Sequence, residues 1–243
     1  MKNNLNAIIF GIAIIIAAAL LGNAFMNRNK SDGTISVTGL GKADFTSDLI
    51  VWEGSYSTIN TDLKQAYADL EKNKKLITDY LNTKGINTDE IVFNAVSTLE
   101  KKEQNYSETG RYMGDKFIGY VLSQSIKIES KNVGQIEKIA REITELLNKG
   151  VQFYSQPPRY YYTKLADLKI EMISRATEDA RVRAEKIAQN SGSSLGELID
   201  AKMGIFQITG QNSNENYSWG GTFNTSDKEK TASITIKLNY KVK

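Results

Sequence analysis

The 243-residue sequence contains no cysteine and no histidine. Without cysteine there is no disulfide, thiolate zinc site, iron–sulfur cluster or thiol nucleophile, and lipoprotein modification is excluded. Without histidine, the Ser-His-Asp and Cys-His arrangements of hydrolases cannot be built, and the commonest metal ligand is missing. Only carboxylate, lysine and tyrosine chemistry remains open to an enzyme, and no cofactor is expected.

An excess of charge of one sign is also missing. The 31 basic and 28 acidic residues are interspersed and give a formal net charge of +3. Nucleic-acid binding normally requires a basic patch or stripe, so nucleic acid is not an expected partner. The candidate acid–base pairs are Asp89-Glu90 and Glu178-Asp179, and neighbours in sequence point in different directions. We therefore expect a non-enzymatic protein with no evident small-molecule substrate.

One long apolar run dominates the start of the chain. Residues 7–26 carry no charge, and twenty helical residues at about 1.5 Å each cover the roughly 30 Å hydrocarbon core of a bilayer. We expect this transmembrane helix to contact membrane lipid through Ile8, Ile12, Ile15, Leu20 and Phe25. A signal peptide that is cleaved after export is the alternative, although its apolar region is usually only about 7–15 residues.

The flanking charges give little help with orientation. Lys2 precedes the apolar run and Arg28 and Lys30 follow it, so the positive-inside rule is nearly balanced. We expect the N-terminus inside and the domain outside, as a single-pass protein of the bacterial inner membrane with its soluble part in the periplasm. A cleaved periplasmic form is the alternative. Residues 1–33 are interpreted as signal anchor and linker, and 34–243 as the soluble part.

The soluble part predicts an α+β fold with mixed or antiparallel sheets covered by helices. The order is β-β-α-β-β-α, then β-α-β-β. Strands are predicted at 34–38, 48–58, 90–100, 117–128, 196–209 and 233–240, and 151–162 is a strand that two prolines interrupt. Residues 101–115 between two strands are interpreted as a polar hairpin. Two subdomains, of about 34–150 and 151–243, are possible.

Three helices follow from the spacing of apolar residues. The inward residues are predicted to be Leu63, Ala66, Tyr67, Leu70, Ile77 and Leu81 in the first helix, Val133, Ile136, Ile139, Ala140, Ile143 and Leu147 in the second, and Leu165, Leu168, Met172, Ala176, Ala180, Ala184, Ile187 and Ala188 in the third. The alanine ridge of the third helix packs closely on its own sheet or, alternatively, on another molecule. Gly39-Leu40-Gly41 lacks the remaining features of a phosphate-binding loop and predicts a tight turn.

Three stretches together resemble the SIMPL-domain family of bacterial envelope proteins. The first is Ile35–Gly41 followed by Ser47-Asp48, with Ser47 where the family usually has proline. The second is the strand from Gly119-Tyr120 to about Ile128. The third, residues 176–196, follows the family pattern A…DA..KAE.LA...G..LG closely. The resemblance covers about residues 34–241 and implies an α+β fold, an envelope location, ring- or channel-like homo-oligomers and no established catalytic residues.

Two aromatic segments are the candidate interfaces. Tyrosine and tryptophan are enriched at protein interfaces because they combine a large apolar area with a polar tip. The candidates are Phe153, Tyr154, Tyr160, Tyr161 and Tyr162 around the two prolines, and Tyr217 and Trp219 in the 210–228 loop, which we expect to be mobile.

The sequence therefore predicts a membrane-anchored, non-enzymatic envelope protein. Its domain is expected to self-assemble into a closed homo-oligomer that acts as a scaffold or compartment. The alternative is a monomeric or dimeric binding module that recruits an envelope partner through the 210–228 loop.

Overall fold

The computed structural model describes the backbone of residues 2–28, 33–216 and 218–243, and the side chains of 9–26, 33–216 and 218–243. Four helices lie in the described residues: α1 (Lys2–Arg28), α2 (Leu63–Thr83), α3 (Val133–Glu142) and α4 (Leu165–Asn190). The strands are β1 (Thr34–Thr46), β2 (Leu49–Asn60), β3 (Ile91–Phe93), β4 (Ser97–Tyr106), β5 (Tyr112–Ser130), β6 (Phe153–Ser155), β7 (Arg159–Tyr161), β8 (Leu195–Met203), β9 (Gln207–Gly210) and β10 (Glu229–Val242). The predicted α+β class is confirmed.

The chain divides into two compact units, and both are discontinuous in sequence. One comprises Met1–Gly41, Ser174–Gly204 and Thr235–Lys243, and the other comprises Lys42–Ile173 and Ile205–Ile234. Strands β1 and β10 therefore each contribute to both units. The two contiguous subdomains that the sequence suggested, of about 34–150 and 151–243, stay a prediction.

The larger unit contains a six-stranded sheet of order β3-β5-β2-β6, in which β4 also pairs with β5 and β7 with β2. All of these pairs are antiparallel. Helices α2 and α3 cover it, and their first turns are capped by Asp62 and Asn132, whose side chains accept hydrogen bonds from Gln65 N and Gln135 N. The core contains Ile50, Trp52, Tyr56, Leu70, Ile77, Leu122, Ile126 and Ile136.

Four residues predicted to face inward do not. Leu63 and Tyr67 are 44% and 52% exposed, and Ile187 is 49% exposed. Leu147 is 58% exposed, whereas its neighbour Leu146 is fully buried. Leu147 faces outward because the chain tightens after α3 into a 3₁₀ helix, Ile143–Lys149, with about three residues per turn. The next buried position after Ile143 is therefore three residues on, at Leu146, and not four residues on, at Leu147.

The predicted turn at Gly39-Leu40-Gly41 is wrong, because β1 runs straight through it. The glycine is required there for another reason. A Cβ at Gly39 would lie 2.1 Å from the carbonyl oxygen of Ala176 and 2.5 Å from the backbone N of Ala180 on α4. The Leu40 N–H also donates to the Asp179 carboxylate at 2.8 Å. The strand and the helix therefore meet with backbone in contact, and the alanine ridge is buried inside its own unit.

The region predicted as a polar hairpin, residues 101–115, is mostly strand. β4 continues to Tyr106 and β5 already begins at Tyr112, so that only a short turn remains between them. The strand predicted for 196–209 is broken into β8 and β9 around Gly204, whose N–H donates to Thr235 O at 2.8 Å. As predicted, the prolines split 151–162 into two three-residue strands, β6 and β7.

Candidate functional site

Helix α1 has apolar side chains that are exposed at every described position, 9–26. Within the described residues it is the one helix long and apolar enough to cross a membrane, over Ile9–Met26, and none of that window is buried. The predicted lipid-facing residues Ile12, Ile15, Leu20 and Phe25 are 53–73% exposed. Ile8 lies in the same helix, but its side chain is outside the described residues. An apolar helix of this length fits a bilayer or the signal for export.

Phe153, the first residue of the aromatic–proline segment, packs into the larger unit. Its ring lies 5.7 Å from the ring of Trp52, and a Cβ on Gly54 would be only 2.2 Å from it. Trp52 in turn donates its indole N–H to Ser155 Oγ at 2.9 Å. These contacts fix β6 on the edge of the sheet, where Tyr154 remains 49% exposed.

The three consecutive tyrosines are all half-buried. Tyr160 packs against the core, and its carbonyl accepts a hydrogen bond from the Lys230 ammonium. Burial, together with the hydrogen bond to the Glu137 carboxylate, raises the pKa of Tyr160 to about 12. Tyr162 packs on Phe45, with ring centroids 4.9 Å apart. Within this segment Tyr154 is therefore the aromatic side chain with most surface left for another molecule.

An open cleft of about 310 Å³ lies beside the two prolines. Its lining includes Glu137 and Arg141 of α3 together with Pro157 and Pro158. The Glu137 carboxylate also lies 3.4 Å from the Lys228 ammonium. In this cleft the Glu137 carboxylate can accept hydrogen bonds from a partner, and the Arg141 guanidinium can donate them.

A network of polar side chains holds the 210–228 loop, which the sequence suggested would be mobile. Buried Asn224 donates to both Glu215 and Asp227, at 2.7 and 2.8 Å. Gln207 bridges the two sides of the loop, donating to Ser218 O and accepting from the N–H of Thr222. The hydrogen bond from the Gly210 N–H holds the pKa of Glu215 below its usual range.

Lys230 sits at the base of this network and is only 2% exposed. Burial lowers the pKa of its ammonium group to about 8, against the opposing attraction of Asp227 and Glu215. A buried cation beside two carboxylates is stabilising only if its remaining protons find acceptors, and the Tyr160 carbonyl supplies one. Sequence reasoning missed this network because its members are scattered among ordinary loop residues.

Trp219 stands at the tip of the same loop and is 97% exposed. Its indole does not fold back onto the described part of the domain. Tyr217, the second aromatic residue predicted here, lies outside the described residues. An indole held in water by a hydrogen-bonded loop has its whole apolar area available for a partner.

Three of the four carboxylates considered for catalysis make contacts within the fold. Asp179 accepts the Leu40 N–H and pairs with Arg183 at 3.0 Å, while Glu178 pairs with Arg181. Glu90 accepts hydrogen bonds from Asn87. In the part of the chain that the structure describes, no group of three His, Cys, Asp or Glu residues is arranged to hold a metal ion.

Together these features define an α+β domain with helix-covered antiparallel sheets, joined to an apolar N-terminal helix. Comparison with protein-family models gives a match over residues 35–242 to SIMPL, described as a protein of unknown function (DUF541). The chain therefore belongs to the SIMPL family, as its motifs predicted. No curated protein matches the sequence.

Proposed function

We propose that this protein is a single-pass, non-enzymatic envelope protein whose SIMPL domain self-assembles into a closed homo-oligomer, acting as a scaffold or compartment at the membrane. The observation that carries the proposal is helix α1, whose described apolar side chains are all exposed while the domain has a core of its own. The anchor would lie in the bacterial inner membrane with the domain in the periplasm.

Confinement to a surface supports association through weak contacts. Tethering raises the effective concentration of the domains, so that contacts too weak to act in solution become effective. A ring requires heterologous contacts whose rotation closes. Tyr154 and the cleft beside the two prolines, with its carboxylate and guanidinium, are one candidate half of such a contact.

The test compares two forms of the protein. Full-length protein in detergent and residues 31–243 without detergent are measured by light scattering after size exclusion. A large, discrete mass in both forms supports a closed assembly encoded by the domain, and a large mass only with α1 places association in the membrane. Monomers in both forms would refute the assembly. N-terminal sequencing of the membrane-bound protein would decide between a retained anchor and a cleaved signal.

One observation favours a second function, in which the protein recruits an envelope partner through the 210–228 loop. Trp219 is 97% exposed at the loop tip, and exposed tryptophans are common anchors of interfaces. Replacing the whole loop would remove Asn224 and Asp227 from the polar network, so Trp219→Ala is the sharper variant. Loss of a crosslinked partner with unchanged assembly mass would support recruitment. Tyr67→Ala, which removes an exposed aromatic side chain from α2, provides the matched control.

A further inference from the structure

The hairpin formed by β4 and β5 extends beyond the rest of its sheet. Pairing of β2 with β5 stops at Asn60 and Tyr120, whereas β4 pairs with β5 as far as Tyr106 and Tyr112. All ten residues of β4 are exposed. A two-stranded ribbon is at best marginally stable in water, so this extension would gain from a third strand.

The two edges of this sheet are built differently. On one edge β6 and β7 have three residues each and are separated by Pro157 and Pro158, which is a common protection against pairing with another chain. On the other edge β4 has ten residues without proline, and among the described residues its one strand partner is β5. Charged side chains usually protect such an edge by repelling another strand. The four charged residues of β4 are two glutamates and two lysines, so they can pair with opposite charges on a second strand.

Backbone geometry restricts how β4 could pair with itself. The register of β4 with β5 shifts twice, after Lys101 and after Gln104, and both times the extra residue lies on β5, so alternation along β4 is uninterrupted. Because the Ser107 N–H donates to Arg111 O, the backbone groups of the even-numbered residues 98–106 point away from β5. In an antiparallel pair, directly opposite residues have the same orientation, so a symmetric pair must be centred on a residue. The register that uses the whole strand is centred on Lys102.

We propose that β4 pairs antiparallel with β4 of a second copy, around a two-fold axis at Lys102. This register places Lys101 opposite Glu103 of the second copy, twice by symmetry, and Glu100 opposite Gln104. The two Lys102 side chains are the one like-charged pair, and each already has Glu100 of its own strand at 3.3 Å. Mixed charges that would be protective against other strands are thus complementary to a second copy. The inference rests on the proposed self-assembly and specifies one of its contacts.

The first test uses the absence of cysteine from the chain. Full-length Lys102→Cys protein in detergent is treated with a mild oxidant and run on a non-reducing gel. Opposite residues of a hydrogen-bonded antiparallel pair have Cα atoms about 5.5 Å apart, within reach of a disulfide. The control is Glu100→Cys, whose two copies would be about 14 Å apart along the strands. Fast crosslinking of Lys102→Cys alone supports the register, and equal crosslinking or none overturns it.

The second test exchanges charges. Lys101→Glu alone, or Glu103→Lys alone, would place like charges opposite each other at both of these positions and weaken association by about tenfold. The double variant restores both pairs and should recover the wild-type association. Equal association of the single and double variants would overturn the β4 contact.

Light scattering on the same proteins separates this inference from the proposed function. A large wild-type mass that Lys101→Glu leaves unchanged, with no Lys102→Cys crosslink, would refute the β4 contact and retain the closed assembly. A dimeric wild type with no larger species, together with the Lys102→Cys crosslink, would retain the β4 contact and refute a ring larger than the dimer.

Discussion

A methyl group added at Gly39 would test the close contact between β1 and α4. In Gly39→Ala the new Cβ would lie 2.1 Å from Ala176 O and 2.5 Å from Ala180 N, whereas carbon contacts are comfortable at about 3.5–4.0 Å. Both neighbours are helix backbone, so the strand and the helix must separate by more than about 1 Å. Overpacking of this kind costs about 1–3 kcal/mol. The gain from replacing a glycine, about 0.4–1 kcal/mol, does not offset it.

We therefore expect Gly39→Ala to lower the free energy of unfolding by about 2 kcal/mol and the Tm by about 4–8 °C. The measurement is thermal unfolding of the full-length protein in detergent, followed by circular dichroism. Gly134→Ala is the matched control, because a Cβ there meets nothing within 4 Å and alanine favours the helix by about 1 kcal/mol. If both variants were as stable as the wild type, or more so, the reasoning about a backbone contact would be refuted.

Two further predictions concern the larger unit. The pKa of Lys230 is about 8 in the folded protein and about 10.4 in the unfolded chain, so between these values the unfolded state binds more protons. The free energy of unfolding of the wild type should therefore rise by about 2 kcal/mol relative to Lys230→Met between pH 8 and 10. Parallel pH profiles of the two proteins in urea titrations would contradict this. Phe153→Ala should cost about 2–4 kcal/mol by leaving a space beside Trp52 and Gly54, whereas Tyr154→Ala should change stability by less than about 0.5 kcal/mol, which thermal unfolding of the two variants compares directly.

Local patterns predicted most of the secondary structure. The presence of helices α2 and α3 and the split of 151–162 by prolines depend on neighbours within a few positions, and sequence spacing reports those directly. The errors arise where distant segments decide the outcome. Gly39 looked like a turn glycine because the helix backbone that needs its missing side chain lies about 140 residues further along. Leu146 was missed because a 3₁₀ turn replaced the expected α-helical one.

The candidate surfaces were predictable in part. Composition alone indicated the apolar helix and an indole in the 210–228 loop, whereas the 97% exposure of Trp219 comes from the structure. The buried network around Lys230 was not predictable, since it joins a loop to a strand through contacts that no spacing rule encodes. The long exposed edge of β4 was also missed, because charged residues without apolar alternation give no strand signal.

The place of β10 in both units also has a consequence for biogenesis. This strand lies between β1 and β8 in one sheet and also pairs with β9, so neither unit is complete before it is available. About 195 residues separate the first residue of β1 from the first of β10, and at about 5–20 residues per second the ribosome needs on the order of ten to forty seconds to make them. For that time the sheet that contains β1 and β8 lacks the strand that joins them, so this unit completes its fold only after synthesis has passed β10.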